Sequence, residues 1–545
     1  MEKLTGGQIV VRSLIKAGVK KIFGLPGVQN DWLYNALYDY KDEIEVIHTR
    51  HEQGTAYMAL GYNLATGETA ISNIVPGPGF LNSSAALLTA YGLNAKVITL
   101  VGQTPLKTQG KGWGVLHESK DQLGIMKRLT KYADRAETIQ EIPSKILKSF
   151  QEVNTGRPQP VGLEVSMDLL MGTSDIEFPS FKEKYNRPDI NQETINAIAT
   201  ALANAKKPLL FVGSGALDAS EEITALVDYL QIPVFSYRTG KGIVSARNYL
   251  SLTVPAAYDM WKDADVVIGI GSHVRMPILK WGIDDNLTFI SVNIDEDDHD
   301  KIAQPQLKLT ADAGQAAIAI LDVLKNSTAP KASKEKEMLA YKAAWKEKTA
   351  YLEPQATYLQ IIREALPDDG IFVDELTQVG FASRILWDAY KPRTYLSTGY
   401  MGTLGWGFPT ALGAKVAQPN VPVISVCGDG GFMFAVQELA TAVQHKIGVI
   451  ICLFNNNAFG NVQNMQINNY GDKVIASDLH NPDFVAMAKS YGANAEKVSG
   501  FDEFRKAIET AKGQELPTLI EVEVGIDLPS TDQFKALPKL RGVKK

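Results

Sequence analysis

Short apolar runs alternate with amphipathic stretches through three successive segments of the chain. In residues 1–175 a helical apolar spacing begins near Thr5, KKIFGLPG reads as a strand and turn, and DWLYNALYDY as a helix. EVIHTR, EQGTAYMALGYNLATG and ETAISNIVPGPG then repeat the order strand, helix, strand. The strand runs lack strict two-residue alternation, so both of their faces are covered. With helical connectors between them, that predicts parallel sheets flanked by helices. A polar, proline-containing stretch at 176–190 separates a second α/β segment at 191–326. The following NSTAPKASKEKEMLAYKAAWKEK mixes charge with helical spacing, and reads as a linker running into a solvated helix. Alternation resumes at Tyr351. The expected fold class is α/β, with three doubly wound parallel-sheet domains at 1–175, 191–326 and 351–545.

Composition narrows the function classes. The 545 residues can form roughly three to four domains of ~150 residues. With 45% hydrophobic and 21% charged residues, the chain is of ordinary globular type. A net charge of −6 without a basic block argues against a nucleic-acid partner, because phosphate neutralisation needs clustered cations. Cys427 and Cys452 lie inside apolar strand-like runs and read as buried thiols of a reducing compartment. The opening MEKLTGGQIVVRSL lacks a signal-peptide pattern, and no apolar run approaches the ~20 residues of a membrane helix. A cytoplasmic enzyme without membrane association is the expectation.

The densest chemistry lies in the third segment. VPVISVC runs into a Gly-Asp-Gly-Gly turn, the helix-like VQELATAVQHK follows, and GVIICLF ends in three asparagines. In a right-handed strand–helix–strand unit both strand ends share one edge of the sheet, which sets Asp429 beside Asn456 at the edge where such sheets bind ligands. Gly428, Gly430 and Gly431 let backbone N–H groups approach a phosphate. Asp429, the Asn456 amide and a nearby carbonyl, that of Ala458, offer the hard oxygens that Mg²⁺ prefers. A lone G-D-G fits a capped strand-end turn equally well; the asparagine run at this spacing favours the ligand site.

GDGGFMFAVQELATAVQHKIGVIICLFNNNAFGNV resembles the signature of thiamine diphosphate-dependent enzymes, in particular the acetolactate synthase and 2-oxoacid decarboxylase (benzoylformate and pyruvate decarboxylase) superfamily. The resemblance implies Mg²⁺ on Asp429, Asn456 and the Ala458 carbonyl, with Gly428, Gly430 and Gly431 bordering the diphosphate. DELTQVG would bring Thr377 and Gln378 near it. TGYMGTLGWGFPTALGA looks like the pyrimidine-binding stretch, with the Gly402 carbonyl accepting from the 4′-amino group and Leu404 as the apolar wedge. Read without the resemblance, that run is a close-packed helix entrance. TRHEQG places Glu52 after a strand and at a helix start. By resemblance it is the buried catalytic glutamate that shares a proton with the pyrimidine ring; by itself it fits a glutamate favoured by the helix dipole. The same likeness puts Gly27, Pro78, Asn82 and Val462 against the cofactor, and Val28, Gln29 and Met465 in the substrate pocket. His117 falls where relatives carry a polar side chain over the reacting carbon, and suits proton relay; a surface-loop histidine is the rival reading.

In the middle segment FVGSGALDAS and VVIGIGSHV begin like dinucleotide fingerprints, but Asp218 and Val274 stand where the third glycine belongs. Of the flavin-binding pattern of biosynthetic relatives only Arg275 survives, so FAD is not expected and a structural middle domain is. The implied reaction is thiamine diphosphate- and Mg²⁺-dependent decarboxylation of a 2-oxo acid with carboligation, acetolactate synthase-like. A non-ligating decarboxylase, a 2-hydroxyacyl-CoA lyase or oxalyl-CoA decarboxylase, and a catalytically silent subunit are the alternatives. The resemblance further implies a homodimer that completes each site, paired into a homotetramer.

Overall fold

The computed structural model describes residues 2–181, 185, 187–525 and 527–542. Part of the stretch 176–190, and the chain-end residues 1 and 543–545, therefore lie outside the described residues. The chain forms two compact units. One comprises Met1–Asn186, Thr398–Ser499 and Lys506–Val524; the other comprises Arg187–Ser397, Gly500–Arg505 and Gly525–Lys545.

The first unit opens with a sheet in the order Glu45–His48, Lys21–Gly24, Ala70–Ile74, Val97–Gln103, Val161–Ser166, Tyr132–Arg135. Every pairing is parallel. The three central strands are buried at every position, which is why their sequence shows no alternation. The first helix, Gly6–Lys16, starts at a capping box: Gln8 N–H donates to the Thr5 hydroxyl at 3.2 Å, and Thr5 N–H to Gln8 Oε1 at 3.0 Å. Sequence reading missed the antiparallel ribbon of Glu2–Thr5 with Thr173–Ile176. EKLT and TSDI are too short and polar to register as strands.

The same unit holds four parallel neighbours of the third sheet, in the order Val423–Gly428, Ile450–Asn455, Thr518–Glu523, Asn494–Val498. Two helices tie these halves together. Glu52–Thr66 crosses Gly407–Ala417 so closely that a Cβ on Gly61 would lie 2.0 Å from the Thr410 carbonyl oxygen, and one on Gly413 1.9 Å from that of Met58. The Glu52–Thr66 helix ends at Gly67 in the left-handed conformation, φ 78°.

The second unit carries the middle sheet, in the order Ser251–Thr253, Val234–Ser236, Pro208–Val212, Val266–Ile270, Thr288–Asn293, Leu307–Thr310, again all parallel. The two interrupted glycine motifs meet where the strand order reverses. A Cβ on Gly215 would sit 2.8 Å from the Gly271 Cα, and one on Gly271 (φ 57°) 2.5 Å from the Gly215 carbonyl carbon. These glycines serve a backbone-to-backbone contact, and Asp218 pairs with Arg393 at 2.7 Å. The helix after the charged linker, Glu335–Thr349, buries only Met338 and Thr349 and is the solvated helix expected. Ile371–Val373 pairs in parallel with Tyr395–Leu396. The N-terminal and middle sheets each have six strands among the described residues. Both cysteines are buried thiols outside any disulfide. Among the described residues no helix is long and apolar enough to cross a membrane.

Glycine-to-alanine changes in a helix ordinarily add stability. Here the added methyl groups meet backbone, so Gly61→Ala and Gly413→Ala should each lower unfolding stability by about 1–3 kcal/mol, read from denaturant midpoints. An unchanged midpoint would show that the helix crossing is looser than these distances indicate.

Candidate active site

Two adjacent strand tips build the first half of the site. Val423–Gly428 and Ile450–Asn455 run in parallel register, with Gly428 opposite Phe454, so the next residues of each strand emerge side by side. The Gly-Asp-Gly-Gly segment is not the free turn expected: a short helix begins at Asp429 and runs to Phe432. The helix after it begins at Glu438, later than the VQELATAVQHK pattern suggested. Asp429 is buried, and its carboxylate accepts the Gly430 and Asn456 N–H groups together with the Asn481 amide at 2.7 Å. Burial pushes its pKa above the usual carboxylate range, and these donors oppose that shift. Gly430 has no room for a side chain, since a Cβ would meet the Phe459 ring at 2.6 Å.

The three asparagines have separate tasks. Asn455 donates to Glu521 at 2.9 Å and accepts the Asn457 N–H at 3.1 Å, which fixes the strand end. Asn457 takes a left-handed φ of 53° to turn the chain. Asn456 packs its amide over Gly460, where a Cβ would lie 2.5 Å from Nδ2. Beyond the turn, Phe459 N–H donates to Ser477 and Leu479 N–H to Asn457, so the Ala458 carbonyl stays outside that ladder.

Asn481, 52 positions from Asp429, is a site residue that sequence reading missed. Its single NH₂ group faces Asp429 Oδ2 at 2.7 Å, Asn455 Oδ1 at 3.1 Å and Asn457 Oδ1 at 3.2 Å. Two hydrogens serve three acceptors, so oxygen lone pairs are in excess at the strand tips. One carboxylate, one side-chain amide and one backbone carbonyl form a donor set suited to Mg²⁺. Among the described residues no group of three His, Cys, Asp or Glu gathers elsewhere to compete for a metal.

The second half lies in the N-terminal sheet of the same unit. Glu52, the first residue of its helix, accepts from Asn82 Nδ2 at 2.9 Å, and a Cβ on Gly79 would lie 3.2 Å from its Oε1. Glu52 is half-buried in the single chain, less enclosed than the buried glutamate that the resemblance implies. Pro78 opens the short helix Pro78–Asn82, where its missing N–H costs nothing. Gly27 packs on Val75, which a Cβ would reach at 2.6 Å, and Gln29 is buried while Val28 is half exposed.

Gln29 meets His117. The Gln29 Nε2 donates to the Leu116 carbonyl at 2.9 Å, which turns Oε1 toward His117 Nδ1, also at 2.9 Å. Because Oε1 only accepts, Nδ1 carries a proton, which in the neutral ring puts the lone pair on Nε2. The backbone sets the ring as well. His117 has φ 65°, its carbonyl lies 2.5 Å from where a Gly77 Cβ would be, and the preceding loop folds onto the Glu118 carboxylate. That carboxylate accepts N–H groups from Gly112, Gly114 and Val115, at 2.8, 2.9 and 3.2 Å, which hold its pKa below the usual range.

Comparison with known proteins agrees with this layout. Residues 377–522 match the family model of the thiamine pyrophosphate enzyme C-terminal TPP binding domain, 4–125 that of the N-terminal TPP binding domain, and 195–320 that of the central domain. A probable 2-ketoarginine decarboxylase of Pseudomonas aeruginosa is 30% identical, over 95% of this chain and 94% of its own. A probable acetolactate synthase large subunit of Methanocaldococcus jannaschii is 31% identical, over 98% and 93%. The acetolactate synthase isozyme 3 large subunit of Escherichia coli is 28% identical, over 97% and 96%. The chain belongs to the thiamine pyrophosphate enzyme family. These relatives set it in the acetolactate synthase and decarboxylase superfamily.

The remaining expected residues of this family member are less enclosed. Gly402 is exposed with φ 60° and Leu404 half-buried, both in the turn before the Gly407–Ala417 helix. Val462 and Met465 are 50% and 47% exposed on the Gly460–Tyr470 helix, which buries only Gln463 within the chain. Thr377 and Gln378 belong to the second unit, where Thr377 caps the Gln378–Leu386 helix by accepting the Gly380 N–H at 3.1 Å.

Two tests address this geometry. Nitrogen NMR of the cofactor-free chain should find His117 with its proton on Nδ1, and Gln29→Leu should release it toward the Nε2-protonated form. Asn481→Ala should weaken Mg²⁺-dependent binding of thiamine diphosphate about 10-fold or more by calorimetry; unchanged binding would remove Asn481 from the site.

Proposed function

We propose that the chain catalyses thiamine diphosphate- and Mg²⁺-dependent decarboxylation of a 2-oxo acid, with carboligation of the retained acyl fragment, in the manner of an acetolactate synthase. The observation that carries this reading is the pair of strand tips, where Asp429, Asn456 and the Ala458 carbonyl offer hard oxygens beside Gly428, Gly430 and Gly431. There they would hold Mg²⁺ and the diphosphate, with Thr377 and Gln378 assigned to the same end of the cofactor. When bound, the cofactor would supply a nucleophilic carbon and a sink for the electron pair left by CO₂. Glu52 holds and returns a proton at the pyrimidine nitrogen, and Asn82 orients its carboxylate. The Gly402 carbonyl would accept from the pyrimidine amino group and Leu404 would prop the ring; Gly27, Pro78 and Val462 would line the cofactor, and Val28, Gln29 and Met465 the substrate.

The proposed enzyme is a homodimer, paired into a homotetramer in the cytoplasm, with the three domains at 1–175, 191–326 and 351–545 and a middle domain without FAD. Half-exposed Glu52 and the exposed Leu81, Tyr400 and Phe434, all in the first unit, support a second copy completing each site.

One observation favours a second reading. His117, with Nδ1 held by Gln29, keeps Nε2 free for proton exchange with the substrate-derived carbon, which suits release of an aldehyde by a non-ligating decarboxylase. The 2-ketoarginine decarboxylase relative supports that reading too. Supplying pyruvate and other 2-oxo acids, and assaying CO₂, aldehyde and ligated product together, separates the two.

Glu52→Gln should keep thiamine diphosphate binding but lose about a hundredfold or more in turnover; full activity would exclude Glu52 from catalysis. Asp429→Ala should abolish the Mg²⁺ dependence of cofactor binding in calorimetry, and an unaltered dependence would contradict its assignment as a ligand.

A further inference from the structure

Glu438 is a fully buried carboxylate, and neither half of the site described above uses it. It opens the Glu438–Gln444 helix, which follows the Asp429–Phe432 turn. Its partners lie far away in sequence, at the N-terminus of the helix that begins with Glu52. The Arg50 N–H donates to both of its oxygens, at 3.3 Å and 3.1 Å, the His51 N–H donates as well, and the Thr441 hydroxyl donates at 2.6 Å. Gly54, in the first turn of that helix, makes the room: a Cβ there would lie 2.4 Å from Glu438 Oε1. The Arg50 guanidinium adds a bond to Gln444 at 3.2 Å.

Burying a carboxylate without exposure is costly unless its lone pairs are met. A helix start needs no such device, since a local Ser, Thr or Asp caps it at less cost. Here a carboxylate from the strand–helix run bearing Asp429 holds the two N–H groups immediately preceding Glu52. A buried carboxylate that accepts two consecutive backbone N–H groups fixes the path of the chain directly before Glu52.

We propose that Glu438 is a positioning residue for Glu52: by clamping the Arg50–His51 backbone against the room left by Gly54, it aims the Glu52 carboxyl without touching substrate or cofactor. This rests on the proposed role of Glu52. Two variants displace the same carboxylate by different means, Glu438→Gln by turning an acceptor into a donor and Gly54→Ala by occupying its space.

In the cofactor-free chain, both variants should speed amide hydrogen exchange at Arg50 and His51. In the loaded enzyme, both should lower kcat about 10- to 100-fold while KM and the affinity for Mg²⁺ with thiamine diphosphate stay within about threefold. Faster exchange with unchanged kcat would overturn the proposal, since the clamp would then be structural only. Loss of cofactor affinity in step with kcat would overturn it too, by assigning Glu438 to the diphosphate end. If the wild-type enzyme turned over no 2-oxo acid, the functional reading itself would fail; full-rate variants of an active wild-type enzyme would sink the positioning role alone.

Discussion

The parallel pairing of Val423–Gly428 with Ile450–Asn455 is the constraint on which the site depends. Neighbouring strands in a sheet lie ~4.8 Å apart, and their register is fixed by hydrogen bonds that no surface substitution alters. Once Gly428 faces Phe454, the residues that leave the two strands share a small volume. Asp429 and Asn456 meet there, and the Asn456 N–H reaches the Asp429 carboxylate directly. The rest of that edge is adjustment to this contact. Phe459 presses on Gly430, Asn481 gathers the oxygens, and Asn457 turns the chain away.

How much of this is legible in a single sequence depends on whether the signal is local. The strand–GDGG–helix–strand–asparagine run is contiguous, so both its fold and its ligand chemistry can be read. The all-buried strands announce themselves by unbroken apolar runs. The ribbon of Glu2–Thr5 with Thr173–Ile176 does not, because its stability comes from long-range pairing of polar residues. Asn481 and Glu438 are invisible for the same reason: their partners are brought close only by the fold. A buried Glu52 is what the resemblance implies, whereas in one chain it is half-buried.

The middle sheet shows how a motif can be read correctly as broken and still hide its purpose. GSG and GIG resemble fingerprint fragments whose third glycine is missing. In the fold, Gly215 and Gly271 press backbone against backbone where the strand order reverses. Glycine is required there by close approach, and the spacing that identifies a phosphate loop is indifferent to that cause. A glycine pattern alone therefore does not separate close backbone packing from a ligand loop.

Two buried carboxylates of the first unit make that distinction in energetic form. Burial raises the pKa of both Asp429 and Glu438, and both are surrounded by donors. Around Glu438 the donors are two backbone N–H groups and a hydroxyl, each committed to it alone. Around Asp429 the Asn481 amide is divided among Asp429, Asn455 and Asn457. A donor shared among several oxygens leaves lone pairs that a cation can take, while donors directed at one carboxylate hold it in place. On the proposed roles, a buried carboxylate would be a ligand at one end of the Asp429–Gln444 run and a clamp at the other. What separates the two surroundings is whether a donor is shared with other oxygens, as the Asn481 amide is, or directed at the carboxylate, as the Arg50 N–H is.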